Sequence, residues 1–187
     1  SALRTSGTVY ERHLPRAGII HRLDKLTSGL LVITKTIESY NALVQAMQQR
    51  AIKRNYQAII YGIPLTAQSI DAPIGRNPRH RTRMAVVSKG KPALTHFSIS
   101  KRFRNHCHIQ LQLQTGRTHQ IRVHMAHIGY PIVGDPEYSR KPTPPSYLSE
   151  PLKHYLHNFQ RQALHASSLE LQHPRTHETM QWDCPLP

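Results

Sequence analysis

The stretch His21-Arg22-Leu23-Asp24-Lys25-Leu26-Thr27-Ser28-Gly29 sets a single carboxylate among cations. A carboxylate held in place can serve as a nucleophile or as a base. Directly after it comes an unbroken apolar run, Leu30 to Ile33, of the kind a buried strand uses. A reactive group at the lip of such a strand is held on a rigid support. Acid is scarce in this chain, ten Asp+Glu against 25 Lys+Arg, so Asp24 is not there for solubility. The same residues also spell an ordinary turn, since Asp, Ser and Gly favour turns for local reasons.

A second stretch, Thr115-Gly116-Arg117-Thr118-His119-Gln120-Ile121-Arg122-Val123-His124, reads as a glycine turn entering a helix. Thr118 is placed to cap that helix and Gly129 to end it, with Ile121, Met125 and Ile128 facing inward. Arg117, in the turn, projects a long guanidinium toward a neighbouring strand end. His119, His124 and His127, with Cys107 or Cys184, raise the alternative of zinc and a nuclease. Tetrahedral sites with Cys show tighter ligand pairing, however, and fourteen His in a basic chain produce such spacings by chance. No metal site is expected.

The formal charge of +15 calls for a polyanionic partner, most simply nucleic acid. No apolar run reaches the roughly 18 residues that span a bilayer, no basic amphipathic helix marks a membrane surface, and no signal peptide is present. With 187 residues and two cysteines the chain is one sizeable domain or one and a half small ones, fits a reducing compartment and is not a disulfide scaffold. Cys107 and Cys184 both fall in strand-like alternation and are expected to be small buried side chains. The chain begins Ser1-Ala2-Leu3, without Met, so upstream elements are expected to be missing.

Other elements must position these groups. Residues 1–16 are a loose lead-in, and Leu30–Thr34 reads as a central strand. Thr36 caps an amphipathic helix with Ile37, Tyr40, Leu43, Val44 and Met47 on its apolar face. Lys53–Gly62 is a strand entered from a basic corner, with Tyr56 near its start, either packed in the core or stacked on a base. Residues 71–83 carry Arg76, Arg79, Arg81 and Arg83 between Pro73, Gly75 and Pro78, which forbid regular structure. That basic loop is either a solvated surface or a phosphate-tracking one, and Met84–Val87 before a Lys-Gly-Lys-Pro turn suggests a short hairpin. Thr95–Phe103 and His106–Gln114 form the clearest β pair, joined at Arg104-Asn105, with alternating apolar and polar faces. Five prolines in 134–151 imply an exposed loop. Gln162–Gln172 and Glu178–Cys184 form a closing hairpin, with Met180, Trp182 and Cys184 expected in the core. No internal repeat is found.

Taken together, His21-Arg22-Leu23-Asp24 with Thr27-Ser28-Gly29-Leu30, and Gly116-Arg117-Thr118-His119-Gln120-Ile121-Arg122-Val123-His124, resemble the motifs of the RluA/RluD-type pseudouridine synthases. The resemblance continues through Gly134-Asp135-Pro136-x-Tyr138, Gln162-Ala163-Leu164-His165-Ala166, Arg81–Val86 and Gly90–Ala93, and covers nearly everything from Pro15 onward. It is strongest to the branch acting on large-subunit ribosomal RNA. It implies an α+β fold, a mixed and mostly antiparallel sheet flanked by helices and loops around a central cleft. It also implies one catalytic domain over residues 1–187, lacking its own start and an upstream S4 RNA-binding domain. The implied reaction isomerises specific uridines to pseudouridine without cofactor or metal, in the cytoplasm, on ribosomal RNA or pre-ribosomal particles, by a monomer. Asp24 matches the catalytic aspartate, Arg22 an arginine that enters the RNA stack, Tyr56 the residue stacking on the flipped base, and Arg117 the arginine paired with the carboxylate. Arg76, Arg79, Arg81, Arg83, Lys91, Gln120 and Arg122 complete the implied RNA-binding set. The chemistry fits: one carboxylate serves a reaction that breaks a C–N bond and makes a C–C bond, a nearby guanidinium favours its charged form, and the base must leave its stack. An RNA-binding module without chemistry is the rival, and it leaves the carboxylate unexplained.

Overall fold

The computed structural model describes residues 14–139 and 148–187. Within these, the alternating segments do form one sheet. Its strands are β1 (Ser28–Gly29), β2 (Lys53–Tyr61), β3 (Gln68–Asp71), β6 (Leu94–Arg102), β7 (His106–Leu113), β8 (Leu164–Gln172) and β9 (Thr179–Asp183). The order is β1-β8-β2-β7-β6-β3, with β9 on β8. Only the β1–β8 pairing is parallel; the others are antiparallel. With helices α1 (Ile37–Gln48), α2 (Gln120–His127) and α3 (Glu150–Asn158), the fold is α+β, as expected.

The period-two pattern sets the sheet's two faces. Tyr56, Ala58, Ile60, Cys107, Ile109 and Leu111 point inward and meet Ile121 and Met125 of α2 in the main core. Burying this apolar surface, worth about 25 cal/mol per Å², ties α2 to the strands that bear Tyr56. A second cluster packs Leu43 of α1 against Leu169 and Leu171 of β8. Thr36 caps α1 as its spacing indicates, its hydroxyl accepting from the Ser39 N–H at 3.2 Å.

Several expectations are corrected. Leu30–Thr34 is not a central strand: β1 stops at Gly29, and Leu31 and Ile33 stay exposed, with a lone bridge from Ile33 to Ile19. An apolar run reads alike in a sheet's middle and at its margin. Gly29, at φ +112°, lets the chain run close against β8, where a Cβ would lie 2.2 Å from the Ala166 carbonyl. Residues 74–76 are regular after all: β4 (Ile74–Arg76) pairs antiparallel with β5 (Met84–Val86), so the hairpin encloses the basic loop instead of following it. Trp182 is exposed and Met180 and Cys184 are half-buried, because β9 lies at a sheet margin; Cys107 is fully buried. The 134–151 stretch is not all exposed loop, since Asp135 is buried and Glu150 begins α3. Its residues 140–147, like residues 1–13 of the lead-in, lie outside the described residues.

Candidate active site

A cleft of about 400 Å³ opens between the Asp24 turn, the start of β2 and the connection from β7 to α2. The turn is built locally: the Thr27 N–H donates to the Asp24 carbonyl at 3.0 Å, with Leu26 in the left-handed region at φ 73°. It is then pinned from β8's side. Gln162, fully buried, donates through Nε2 to the Lys25 carbonyl at 2.8 Å and to Thr27 Oγ1 at 2.9 Å. The Asp24 side chain is left 15 % exposed, at the cleft wall.

The cation that meets Asp24 is Arg122. Its Nη1 lies 3.5 Å from Asp24 Oδ2, while Nε and Nη2 form a two-pronged pair with Asp135 at 2.7 and 2.9 Å. Nη2 also reaches Glu137 Oε2 at 3.1 Å, and the guanidinium carbon sits 4.9 Å from the Tyr138 ring centre. Asp135 in turn accepts the Glu137 and Tyr138 N–H groups, at 2.9 and 3.0 Å. Burial opposes the charges of both Arg122 and Asp135. The Asp135, Asp24 and Glu137 carboxylates nevertheless drive Arg122 above the ordinary arginine range, and Arg122 with two backbone N–H groups draws Asp135 below the ordinary aspartate range. Among the described residues, Tyr138 further ties this loop to its surroundings. Its hydroxyl accepts from the Met84 N–H at 3.0 Å and meets His119 Nδ1 at 2.8 Å, and burial pushes it up to about 12.

This overturns the pairing assigned to Arg117. Arg117 is exposed and donates through Nε to the Pro92 carbonyl at 3.0 Å, although it lines the same cleft. The reason is helix geometry. Arg117 precedes α2, whereas Arg122 lies in its first turn and points down onto the Asp24 loop. Arg122 and Gln120 are therefore not free to contact RNA. Gln120 is buried and uses its whole amide internally: Nε2 donates to the Leu94 carbonyl and Thr95 Oγ1, and Oε1 accepts from Thr115 Oγ1 and the Arg117 N–H. Gln120 thus fixes the turn that carries Arg117. The N-cap of α2 is His119, at φ 56°, and not Thr118.

Tyr56 and the exposed Arg22 line the cleft, as do Arg16, Arg50 and Arg54. Tyr56 is 6 % exposed, and burial raises its hydroxyl above the usual tyrosine range. Arg76, Arg79, Arg81, Arg83 and Lys91 are exposed on the β4–β5 hairpin and beside it. Asn77 Oδ1 shapes their loop by accepting the Arg79 and His80 N–H groups at 2.9 and 3.1 Å. His124, a candidate zinc ligand, has both ring nitrogens engaged, with Thr95 Oγ1 and the Ala72 carbonyl at 2.9 Å each. No group of three His, Cys, Asp or Glu side chains suited to a metal occurs among the described residues. Asp135 and Gln162 were visible only as parts of motifs; the scarcity of acids was the one signal pointing to Asp135.

A mixed sheet with this carboxylate and guanidinium at its cleft defines a class. Residues 5–127 match the family model for RNA pseudouridylate synthase, and the chain belongs to that family. Over 174 residues it is 54 % identical to ribosomal large subunit pseudouridine synthase D of Pasteurella multocida, covering 93 % of this chain and 54 % of that one. The proteins of that name from Pseudomonas aeruginosa and Escherichia coli K12 are 52 % and 51 % identical, with 94 % and 93 % of this chain covered and 55 % and 53 % of theirs. The chain thus spans about half the length of these curated relatives. Among solved structures it is similar to human RNA pseudouridylate synthase domain containing 1, at TM-score 0.73, 26 % identity and coverage of 90 % of this chain and 69 % of that one. Human RNA pseudouridylate synthase domain containing 4 follows at TM-score 0.70 and 26 % identity, with 90 % and 71 % covered.

Proposed function

We propose that this chain is the catalytic domain of an enzyme that isomerises uridines of large-subunit ribosomal RNA to pseudouridine. The observation that carries this reading is that, among the described residues, Asp24 is the one carboxylate in a cleft walled by five arginines, held from behind by Arg122. A surface built only to bind phosphate has no use for that acid. In the reaction the C1′–N1 bond breaks, C1′ bonds to C5 of the same base, the C5 proton leaves to solvent and N1 gains one. Asp24 acts on the sugar or on the ring, as nucleophile or base. The uridine reaches it by leaving its stack, at a cost of roughly a few kcal/mol. Stacking on Tyr56 returns about 1–3 kcal/mol, and Arg22 fills the gap left in the helix. Arg117 with Arg76, Arg79, Arg81, Arg83 and Lys91 guides the RNA backbone. The enzyme works as a monomer in the cytoplasm, on free or pre-ribosomal RNA, with neither cofactor nor metal. Among the described residues no helix is long and apolar enough to cross a membrane.

The test is release of tritium from ribosomal RNA labelled at uridine C5. Wild type releases label, and Asp24→Asn loses release by about three orders of magnitude or more while still binding RNA. Binding without release by wild type, at any uridine, makes the chain an RNA-binding module and ends this proposal.

A further inference from the structure

One buried cation of the cleft is used by nothing described so far. Arg54, on β2, is 8 % exposed, yet its side chain forms no hydrogen bond or ion pair with any described residue, and its Nε, though not its Nη groups, is fully buried without a partner. Burying an unpaired charge is strongly unfavourable, so a guanidinium kept there has a ligand to meet. Its position is deliberate: it lies over Gly116, where a Cβ would come within 3.1 Å of Nη1. Burial lowers its proton affinity, and only the Tyr56 hydroxyl works against that; no carboxylate takes part.

His21 shows the same condition in the same cleft. It is 7 % exposed, its Nε2 accepts the Val32 N–H at 3.1 Å, and its Nδ1 is buried without a partner. A neutral imidazole whose Nε2 accepts carries its proton on Nδ1, where, among the described residues, the Arg22 backbone is its one neighbouring hydrogen-bonding group. Burial, reinforced by the Arg54 charge, lowers His21 to about 4, which keeps it neutral at pH 7. The cleft therefore offers a guanidinium whose buried Nε lacks an acceptor, beside a neutral imidazole, within walls that bring five arginines against one carboxylate among the described residues. A uracil carbonyl would satisfy a donor but leave the charge uncompensated, whereas a phosphodiester supplies both acceptors and the opposite charge.

We propose that Arg54 and His21 form a seat for one backbone phosphate of the RNA strand beside the extruded uridine. The seat anchors the nucleotide by its backbone while Tyr56, two residues along β2, faces its base. This rests on the reading of the cleft as a uridine-isomerising site.

The test compares wild type with Arg54→Met and Arg54→Lys, using a short labelled RNA with one uridine in an all-cytidine strand. Arg54→Met is expected to raise Tm, because an unpaired buried charge is gone, and to lower the log–log salt slope of RNA binding by about 0.7. Arg54→Lys restores much of that slope. Methylphosphonate placed at each linkage flanking the uridine weakens wild-type binding at one of them several-fold and leaves Arg54→Met unaffected there. A falling Tm with an unchanged slope makes Arg54 a packing residue and overturns the seat, as does a methylphosphonate effect equal in both proteins. Binding is read by anisotropy, independently of tritium release. A linkage effect without release sinks the isomerase reading and keeps the seat, and release without a linkage effect does the reverse.

Discussion

Two arginines stand buried at one cleft under opposite conditions, Arg54 in its wall and Arg122 behind it. Arg122 is surrounded by Asp135, Glu137 and Asp24. Arg54 has no acid at all among the described residues. In Arg122 the two-pronged face is given to Asp135, and Asp24 receives only the remaining Nη1 at 3.5 Å. Asp24 is thus oriented but not locked, since a two-pronged pair with Arg122 would occupy both its oxygens. One guanidinium is finished by the fold and tunes a protein group; the other is left unfinished for a ligand to complete. Scaffold and function separate along that line.

The sharpest way to break the comparison is to make Arg122 resemble Arg54. Asp135→Asn removes the charge that holds the guanidinium, leaving Arg122 buried and badly compensated. Breaking a buried ion pair from one side costs about 3–5 kcal/mol. Urea unfolding is expected to show a loss of that size, with turnover falling as Arg122 swings away from Asp24. A stability loss under about 1 kcal/mol, the scale of a surface pair, would show that Asp135 is not the clamp.

Acid exposes the other side of the comparison. His21 shares Arg54's surroundings and is lowered from 6.5 to about 4, by burial first and by the Arg54 charge second. Between those values the unfolded chain binds a proton that the folded chain refuses. The stabilising contribution is therefore complete above about pH 6.5 and is lost as pH falls toward 4. At about 1.4 kcal/mol per pH unit, this amounts to roughly 3 kcal/mol at most. Wild type is expected to lose that much more unfolding free energy than His21→Gln between pH 7 and pH 4. His106, His108 and His124 are also lowered by burial, but they act equally in both proteins. In Arg54→Met the pH window narrows from its acid end. Parallel pH profiles in wild type and His21→Gln would mean that the buried imidazole titrates normally.

Arg122→Lys asks whether shape matters beyond charge. An ammonium offers no fork, so it cannot satisfy Asp135 doubly and still present a donor to Asp24. Turnover on tritiated RNA is expected to fall roughly 10²-fold, as for removal of one positioned donor, with RNA affinity unchanged because Arg122 is buried away from the backbone. Unchanged turnover would remove the orienting role of the pair.

These two arginines also mark how far the sequence could be read. The strands β2, β6, β7 and β8 were legible because each has one apolar and one polar face, as with Cys107, Ile109 and Leu111 against His108, Gln110 and Gln112. Helix α1 was legible from its 3.6 spacing and Thr36 cap. The Leu30–Ile33 run was misplaced because apolar content alone does not distinguish a central strand from a margin. Helix α3 was hidden by its own Pro151, which ends helices in their interior but suits their first turn. The cleft's composition was legible from motifs; its pairing was not. Arg117 and Arg122 sit in one motif, and the turn of α2 decides which reaches Asp24. Arg54 was legible only as part of a basic corner, since an orphaned cation is recognisable only once every neighbour has been counted.

The smallest effects are expected where arginine is neither clamped nor buried. Arg79 and Arg81 stand exposed on the β4–β5 loop, whose backbone the Asn77 side chain braces at Arg79 and His80. Exposed cations near an RNA backbone act by releasing counterions, so Arg79→Gln or Arg81→Gln is expected to lower the log–log salt slope by about 0.7 each. Affinity falls at low salt, the difference shrinks as salt rises, and the saturated turnover number stays at the wild-type value. Stability is expected to move by less than about 0.5 kcal/mol, as for surface substitutions generally. Arg54→Met has the same expected slope change but adds a rise in Tm and linkage specificity, and neither loop variant has either. If a loop variant lowered the saturated turnover number, the hairpin would belong to the catalytic cleft, and the division between buried, position-fixing arginines and exposed, strand-attracting ones would fail.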